Sequence, residues 1–151
     1  MHTTIIDDIQ VLVELRIAYL LDQNSKEQLG DLTMLSRNLY TYFEKAIQNG
    51  ELLAVVAREQ QKICAVALLS IVDRPPRAEQ DSGSIGTIYN VYTYPEYRRR
   101  GFATAVMKKL LEEAKRINVT SVDLLASEQG RYLYEKFGFR CPIHTYMRKK
   151  L

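Results

Sequence analysis

Hydrophobic spacing along the chain alternates between a strand period and a helical period, and the switches divide it into elements. Residues 2–6, His-Thr-Thr-Ile-Ile, form a short β-branched run suited to an edge strand. Asp7 and Asp8 then supply capping and first-turn acids. Ile9, Leu12, Val13, Ile17 and Leu20 come next at helical spacing, predicting a helix that ends near Gln23 and Asn24. A second helical stripe runs through Leu32, Leu35, Leu39, Tyr42, Phe43, Ala46 and Ile47, with Asp31 as cap and Gly50 as stop. Leu52–Arg58 and Ile63–Val72 are apolar, β-branched runs joined by the polar turn Glu59-Gln60-Gln61-Lys62, which predicts a hairpin. Residues 73–84 hold two prolines, charges and Gly/Ser and read as a loop, of a length often functional or mobile. Ile85–Thr93 is again β-branched and aromatic.

The stretch Tyr94–Ile117 organises the C-terminal half of the chain. Pro95 ends the preceding strand, because it has no N–H to give to a ladder. Ala103, Val106, Met107, Leu110, Leu111, Ala114 and Ile117 lie on one helical face, with charged residues on the other. Ser121–Ala126 reads as a buried-type strand, giving a βαβ unit with two parallel strands joined right-handedly. Ser127–Phe137 is a short helix, Gly138 suits the left-handed position after it, and Phe139 can close a Schellman-type cap. Residues 140–148 read as a last strand, broken near Pro142. Together these elements predict a single-domain α/β fold over residues 1–151: a mixed, mostly antiparallel sheet with one βαβ unit, flanked by helices. In such sheets ligands favour the crevice at the carboxyl ends of the parallel strands, which puts the turn after Thr93 at the mouth of a cleft.

That turn is where charge changes the picture. Arg98, Arg99 and Arg100 adjoin Gly101 and Ala103, small residues that let a ligand approach the backbone. The first N–H groups of a helix lack intrahelical partners and carry the positive end of its dipole, so the N-terminus suits a phosphate. On charge alone, a solvated basic turn before a surface helix accounts for the run equally well.

Composition sets outer bounds. The chain has 151 residues, net charge +3 and 46% hydrophobic residues, ordinary for one globular domain. That excess of positive charge is far below a nucleic-acid-binding signature. Two cysteines make no disulfide framework, so a reducing cytoplasm is the expectation. No secretory leader is expected, since His2-Thr3-Thr4 lacks a basic n-region and Asp7 and Asp8 interrupt any apolar run, and no apolar run approaches the roughly 20 residues that span a membrane.

Arg98-Arg99-Arg100-Gly101-Phe102-Ala103 fits (Arg/Gln)-x-x-Gly-x-(Gly/Ala), and Leu-Tyr-Glu-Lys-Phe-Gly-Phe stands at 133–139. With a strand before the first motif and a helix opened by it, the order resembles the GNAT (GCN5-related) N-acetyltransferases over roughly residues 50–148. The resemblance implies an acetyl-CoA-dependent N-acetyltransferase acting on an amine by direct attack in a ternary complex. It implies that Arg98, Arg99, Arg100, Gly101, Phe102, Ala103 and Thr104 hold the pyrophosphate. It further implies that the strand at Val91, Tyr92 and Thr93 is splayed from its parallel neighbour and binds the pantetheine arm through free amides. The same resemblance makes Tyr134 the general acid for the leaving thiolate and puts Ser127 and Gly130 beside the cofactor channel. Read without it, Tyr134 is an ordinary packing residue and Ile85–Thr93 a plain core strand. A non-catalytic acyl-CoA-binding regulatory module is the alternative, and a homodimer is an expectation from the resemblance alone.

The chemistry behind the tyrosine is simple. An aliphatic thiol has a pKa near ~8.5 and a phenol one of about 10, so the phenol stays protonated at neutral pH and can serve the departing sulfur. No general base is evident, because Ile85–Thr93 contains no Asp or Glu and Glu96, past Pro95, is expected to face solvent. Cys64 lies inside an apolar strand and reads as a small buried hydrophobe rather than a nucleophile. His2 is terminal, and His144, on the expected last strand, is assigned a structural or surface role. No Cys or His cluster has metal-ligand spacing, so no metal is expected.

Overall fold

The computed structural model describes residues 1–79, 81–143 and 146–151. Its sheet has five strands in the order β1 (His2–Ile5), β2 (Leu52–Glu59), β3 (Lys62–Asp73), β4 (Ser84–Thr93), β5 (Ser121–Leu124). The first four pair antiparallel and β5 joins β4 in parallel, the expected mixed sheet with one βαβ unit.

Helices cover both faces. On one lie α1 (Ile9–Gln23) and α3 (Leu32–Gln48), with the single-turn α2 (Lys26–Leu29) between them. Asp8 accepts from the Val11 amide and Asp31 from those of Thr33 and Met34, so both predicted caps form. The turn α2 has no counterpart in the hydrophobic pattern; it is held by a capping box between Ser25 and Gln28. On the other face lies α4 (Phe102–Arg116), whose Val106, Met107 and Leu110 are fully buried. Truncating one such leucine to alanine typically costs about 2–5 kcal/mol.

Covered on both faces, β2 and β3 are buried along most of their length, which is why they read as apolar runs rather than alternating ones. Their hairpin turns through Gln60 and Gln61, both at positive φ, the geometry a two-residue hairpin requires.

The loop between β3 and β4 is stapled at the amino end of β4. The Asp81 carboxylate accepts from the Gly83 amide at 2.9 Å, the Arg77 amide at 3.1 Å and the Thr120 hydroxyl at 3.2 Å. The last helix, α5 (Glu128–Lys136), is capped by Ser127. It closes as predicted: Gly138 has φ +87°, and the Gly138 and Phe139 amides donate to the Glu135 and Tyr134 carbonyls.

The expected strand over 140–148 is corrected. Among the described residues after Phe139 none is in a strand. Arg140 instead donates to the Glu135 and Phe139 carbonyls, folding the chain back on the end of α5, and Pro142 cannot donate to a ladder. His144 lies outside the described residues.

Candidate active site

The parallel pairing of β4 and β5 is short. It runs from Ile85–Ser121 to Ile88–Leu124 and stops. Beyond Ile88, β4 continues to Thr93 with β3 alone, so its other edge is left unpaired and forms one wall of the candidate cleft. A bulge sits where the strands part. Leu68 pairs with Tyr89 and Val66 with Tyr92, so Asn90 and Val91 together oppose Ala67. Asn90 is the residue turned to positive φ (+55°), a conformation that asparagine tolerates better than most.

Amide direction follows from the ladder. The Tyr94 N–H donates to the Cys64 carbonyl at 3.0 Å, toward β3. Alternate amides of an extended strand point to opposite edges, so the Thr93 N–H faces the side that β5 has left. Val91, two residues back, is the second residue of the bulge. Its side chain packs on the α4 face, whereas Tyr92 is buried on the α1/α3 face.

The mouth of the cleft is the turn into α4. Arg99 and Gly101 both have positive φ, +61° and +83°, and backbone turned this way gathers N–H groups into anion-binding concavities. The first bond of the helix runs from the Ala105 amide to the Gly101 carbonyl, leaving the amides of Phe102, Ala103 and Thr104 pointing outward. Nothing lies within 4 Å of where a Gly101 side chain would start. Phe102 is only 2% exposed, so its ring belongs to the core and its amide alone faces the turn; Ala103 is half-buried and Thr104 exposed. This open, donor-rich turn fits a pyrophosphate.

The arginines of the turn are less free than their charge suggests. Arg98 pairs with Asp22 at 2.7 Å, donates through Nε to the Thr93 carbonyl at 3.0 Å, and lies 6.0 Å over the Tyr92 ring. Arg100 meets both carboxylate oxygens of Glu59, at 2.7 and 2.9 Å, and covers Tyr97 and Phe102. Both pairs are substantially exposed, so each contributes at most about 1 kcal/mol. Arg99 makes no ion pair among the described residues.

Tyr134 enters the cleft from α5. Its ring packs with the α4-face core and stands edge-on to Phe139, 6.1 Å between centroids. Gly130 makes room for it: a Cβ there would meet the ring at 2.9 Å. The Ser127 hydroxyl accepts from the Gly130 amide at 3.2 Å and so serves as the cap that seats this helix. Burial raises the Tyr134 pKa, and Tyr19 of α1 adds to the rise. The phenol is thereby kept protonated well into the alkaline range.

Across the cleft stands a polar cluster that sequence reasoning missed. Arg16 of α1 donates to Asn90 Oδ1 at 3.1 Å and is flanked by the rings of Tyr19 and Tyr89, 5.4 and 5.6 Å from their centroids. The Tyr89 hydroxyl shares a hydrogen bond of 3.3 Å with that of Tyr42, and burial pushes its pKa strongly upward. The available signal was an arginine set among apolar helical positions, Ile17-Ala18 on one side and Val13 and Leu15, with Glu14 between them, on the other.

Cys64 is fully buried and its thiol pKa is raised, chiefly by desolvation, which disfavours a nucleophilic thiolate. Glu96 is exposed. Among the described residues no group of three or more His, Cys, Asp or Glu could hold a metal ion, and no helix is long and apolar enough to cross a membrane.

Comparison with known proteins bears on this geometry. The sequence profile of the acetyltransferase (GNAT) family matches residues 17–139. A predicted acetyltransferase from Clostridium acetobutylicum, solved with acetyl-CoA, is 31% identical, with a TM-score of 0.82 over 98% of this chain and 95% of that one. A GCN5-related N-acetyltransferase from Ralstonia eutropha shares the fold, with a TM-score of 0.80 at 20% identity over 98% of this chain and 97% of its own. An uncharacterised N-acetyltransferase of Porphyra purpurea is 29% identical over 63 residues, 42% of this chain. The match spans about a third, 36%, of that relative's length.

Proposed function

The chain belongs to the GNAT family of acetyltransferases, and we propose that it transfers an acetyl group from acetyl-CoA to an amine by direct attack in a ternary complex. The observation that carries this reading is the parting of β4 from β5 after Ile88, with a helix N-terminus at the mouth and Tyr134 alongside. The similar chain from Clostridium acetobutylicum, solved with acetyl-CoA, supports the choice of donor.

In this reading the turn from Arg98 to Gly101 and the amides of Phe102, Ala103 and Thr104 hold the pyrophosphate. The edge of β4 at Val91, Tyr92 and Thr93 takes the pantetheine arm as a strand would be taken, by backbone bonds. The Val91 N–H polarises the thioester carbonyl. The amine nitrogen attacks that carbon, the C–S bond breaks, and its electron pair leaves on sulfur. Tyr134 donates a hydrogen bond to the departing thiolate. Its raised pKa makes full proton transfer uphill, so it acts chiefly by stabilising the charge as it forms. The amine's proton leaves through water, since among the described residues the side chains in contact at the bulge are Arg16, Tyr19, Tyr89 and Asn90, none of them a base, and Asp22, Glu14 and Glu96 lie toward Tyr92 and Tyr94 beyond it. Ser127 and Gly130 act indirectly, by seating Tyr134. One acetyltransferase domain over residues 1–151, working in the cytoplasm with Cys64 and Cys141 as free thiols, completes the proposal.

The test is release of CoA from acetyl-CoA in the presence of a panel of amines. Acetyl-CoA binding with no turnover on any amine class, charged or neutral, would instead favour a regulatory acyl-CoA-binding module.

A further inference from the structure

We propose that Arg16 recognises the acceptor, and that the acceptor is a small amine carrying a carboxylate a few bonds from its amino group. The proposal rests on the N-acetyltransferase reading and names the substrate class for that same site.

The guanidinium is held by two rings and one amide. Tyr19 and Tyr89 flank it at 5.4 and 5.6 Å, and Nη1 donates to Asn90 Oδ1 at 3.1 Å. A guanidinium has five N–H groups in a planar fork and accepts nothing. Among the described residues, that bond to Asn90 is its only hydrogen bond and no carboxylate pairs with it. Arg16 is half-buried. A partly desolvated charge without a counter-ion is costly, and the two rings and one amide offset only part of that cost.

Asn90 points the same way. Arginine can only donate, so the amide must turn its oxygen to Arg16. Its Nδ2 is then buried without a partner, in a residue 2% exposed. The fold thus leaves a buried donor unsatisfied while orienting this guanidinium, although an aspartate at position 90 would have neutralised it. A cation aimed and left unpaired suits an anion that comes and goes.

Position and charge narrow the ligand. Asn90 directly precedes Val91, whose amide is assigned to the thioester carbonyl. Consecutive Cα atoms are about 3.8 Å apart, and Arg16 is bonded to the Asn90 side chain itself, so one small acceptor can reach both the guanidinium and the residue assigned to the thioester. Arg98, which also reaches this face, is already paired with Asp22. One unpaired fork balances one negative charge, matching a carboxylate in charge and in planar geometry better than a phosphate dianion.

The experiment compares an L-α-amino acid, its primary amide and the matching alkylamine as acceptors. The measured quantity is kcat/KM per free-base amine, for the wild type and for Arg16→Gln and Arg16→Lys. The wild type should prefer the carboxylated acceptor. Arg16→Gln should collapse the acid-to-amide ratio by about 10- to 100-fold, the weight of a hydrogen bond to a charged group. Arg16→Lys should restore part of it, and the thermal shift with acetyl-CoA should persist in both variants. As a check needing no variant, the N-acetyl amino acid should inhibit the wild type more tightly than its amide does. Equal use of acid and amide, with a ratio indifferent to Arg16→Gln, would overturn the role of Arg16 and leave N-acetyl transfer standing. No turnover of any acceptor, despite acetyl-CoA binding, would overturn both.

Discussion

Phe139 holds Tyr134 twice over: its amide donates to the Tyr134 carbonyl at 3.2 Å, and its ring stands edge-on to the phenol at 6.1 Å. The cap that ends α5 is therefore also the support of the residue assigned to the leaving thiolate. Tyr134→Phe removes the hydroxyl and leaves this packing in place. It should lower kcat by about 10²–10³, the usual loss for one donor aimed at developing charge, with the thermal shift by acetyl-CoA retained. Wild-type turnover of the Phe variant, with chemistry rate-limiting, would reduce Tyr134 to a packing residue.

At Gly101 the backbone has φ +83° and the space around it is open. Acetyl-CoA should raise Tm, since a ligand binding only the folded state stabilises it by mass action. Gly101→Glu should abolish that shift through added bulk and negative charge. Gly101→Asn, which tolerates left-handed backbone, should fold with less strain than the glutamate variant. A full shift in a folded Gly101→Glu protein would place the pyrophosphate elsewhere.

The bulge makes a stability prediction. Asn90→Ala loses a hydrogen bond from a charged donor and puts a Cβ residue at φ +55° without asparagine's tolerance. Urea unfolding should show a loss of about 2–4 kcal/mol. Asn90→Gly loses the same bond but accepts the backbone, so it should be less destabilised than Asn90→Ala by about 1 kcal/mol. Equal losses in the two variants would mean that position 90 stores no backbone strain.

The pH dependence is set by the groups that face the bulge. An alkylammonium has a pKa near ~10, as for lysine, and among the described residues no carboxylate is hydrogen-bonded to Arg16 or Asn90 at the bulge. kcat/KM should therefore rise with pH and track the acceptor's own pKa. Tyr134 should not cut this rise short near neutrality, since its pKa is raised above the ordinary phenol value by burial. Glu96→Gln should leave the profile in place. A plateau near pH 7 for every acceptor, removed by one carboxylate substitution, would reveal a base that the cleft does not display.

Alkaline stability gives the last prediction. Burial raises the pKa of Tyr89, and the Tyr42 hydroxyl adds to it. Above the unfolded value of about 10, the unfolded chain releases a proton that the folded chain keeps. The unfolded state then binds fewer protons, and stability falls with rising pH. Tyr89→Phe should flatten that fall between pH 10 and 12 in chemical denaturation; an unchanged slope would assign it to other groups.

What the sequence disclosed was local. Asp8, Asp31 and Gly138 announce helix ends because a cap acts within a few residues. The basic turn announces a helix N-terminus for the same reason. The partners of its arginines were not legible: Asp22 is 76 residues from Arg98, and Glu59 is 41 from Arg100. Arg16 and Asn90, 74 apart, meet only once α1 lies across β4. Strand propensity likewise could not supply a neighbouring edge for the described residues 140–143. The bulge had a faint signature, an asparagine inside a β-branched and aromatic run, which is a residue that strands disfavour.

The division of β4 at Ile88 has a consequence for how such a protein can change over generations. Its first half, Ile85–Ile88, is hydrogen-bonded on both sides and answers to the stability of the sheet. Its second half is paired on one side only and answers to whatever lies in the cleft. Substitutions in the second half therefore act on both counts at once, since Asn90 and Tyr92 are buried there as well as placed on the open edge. The far end of the strand can drift toward new chemistry only as far as its own packing allows.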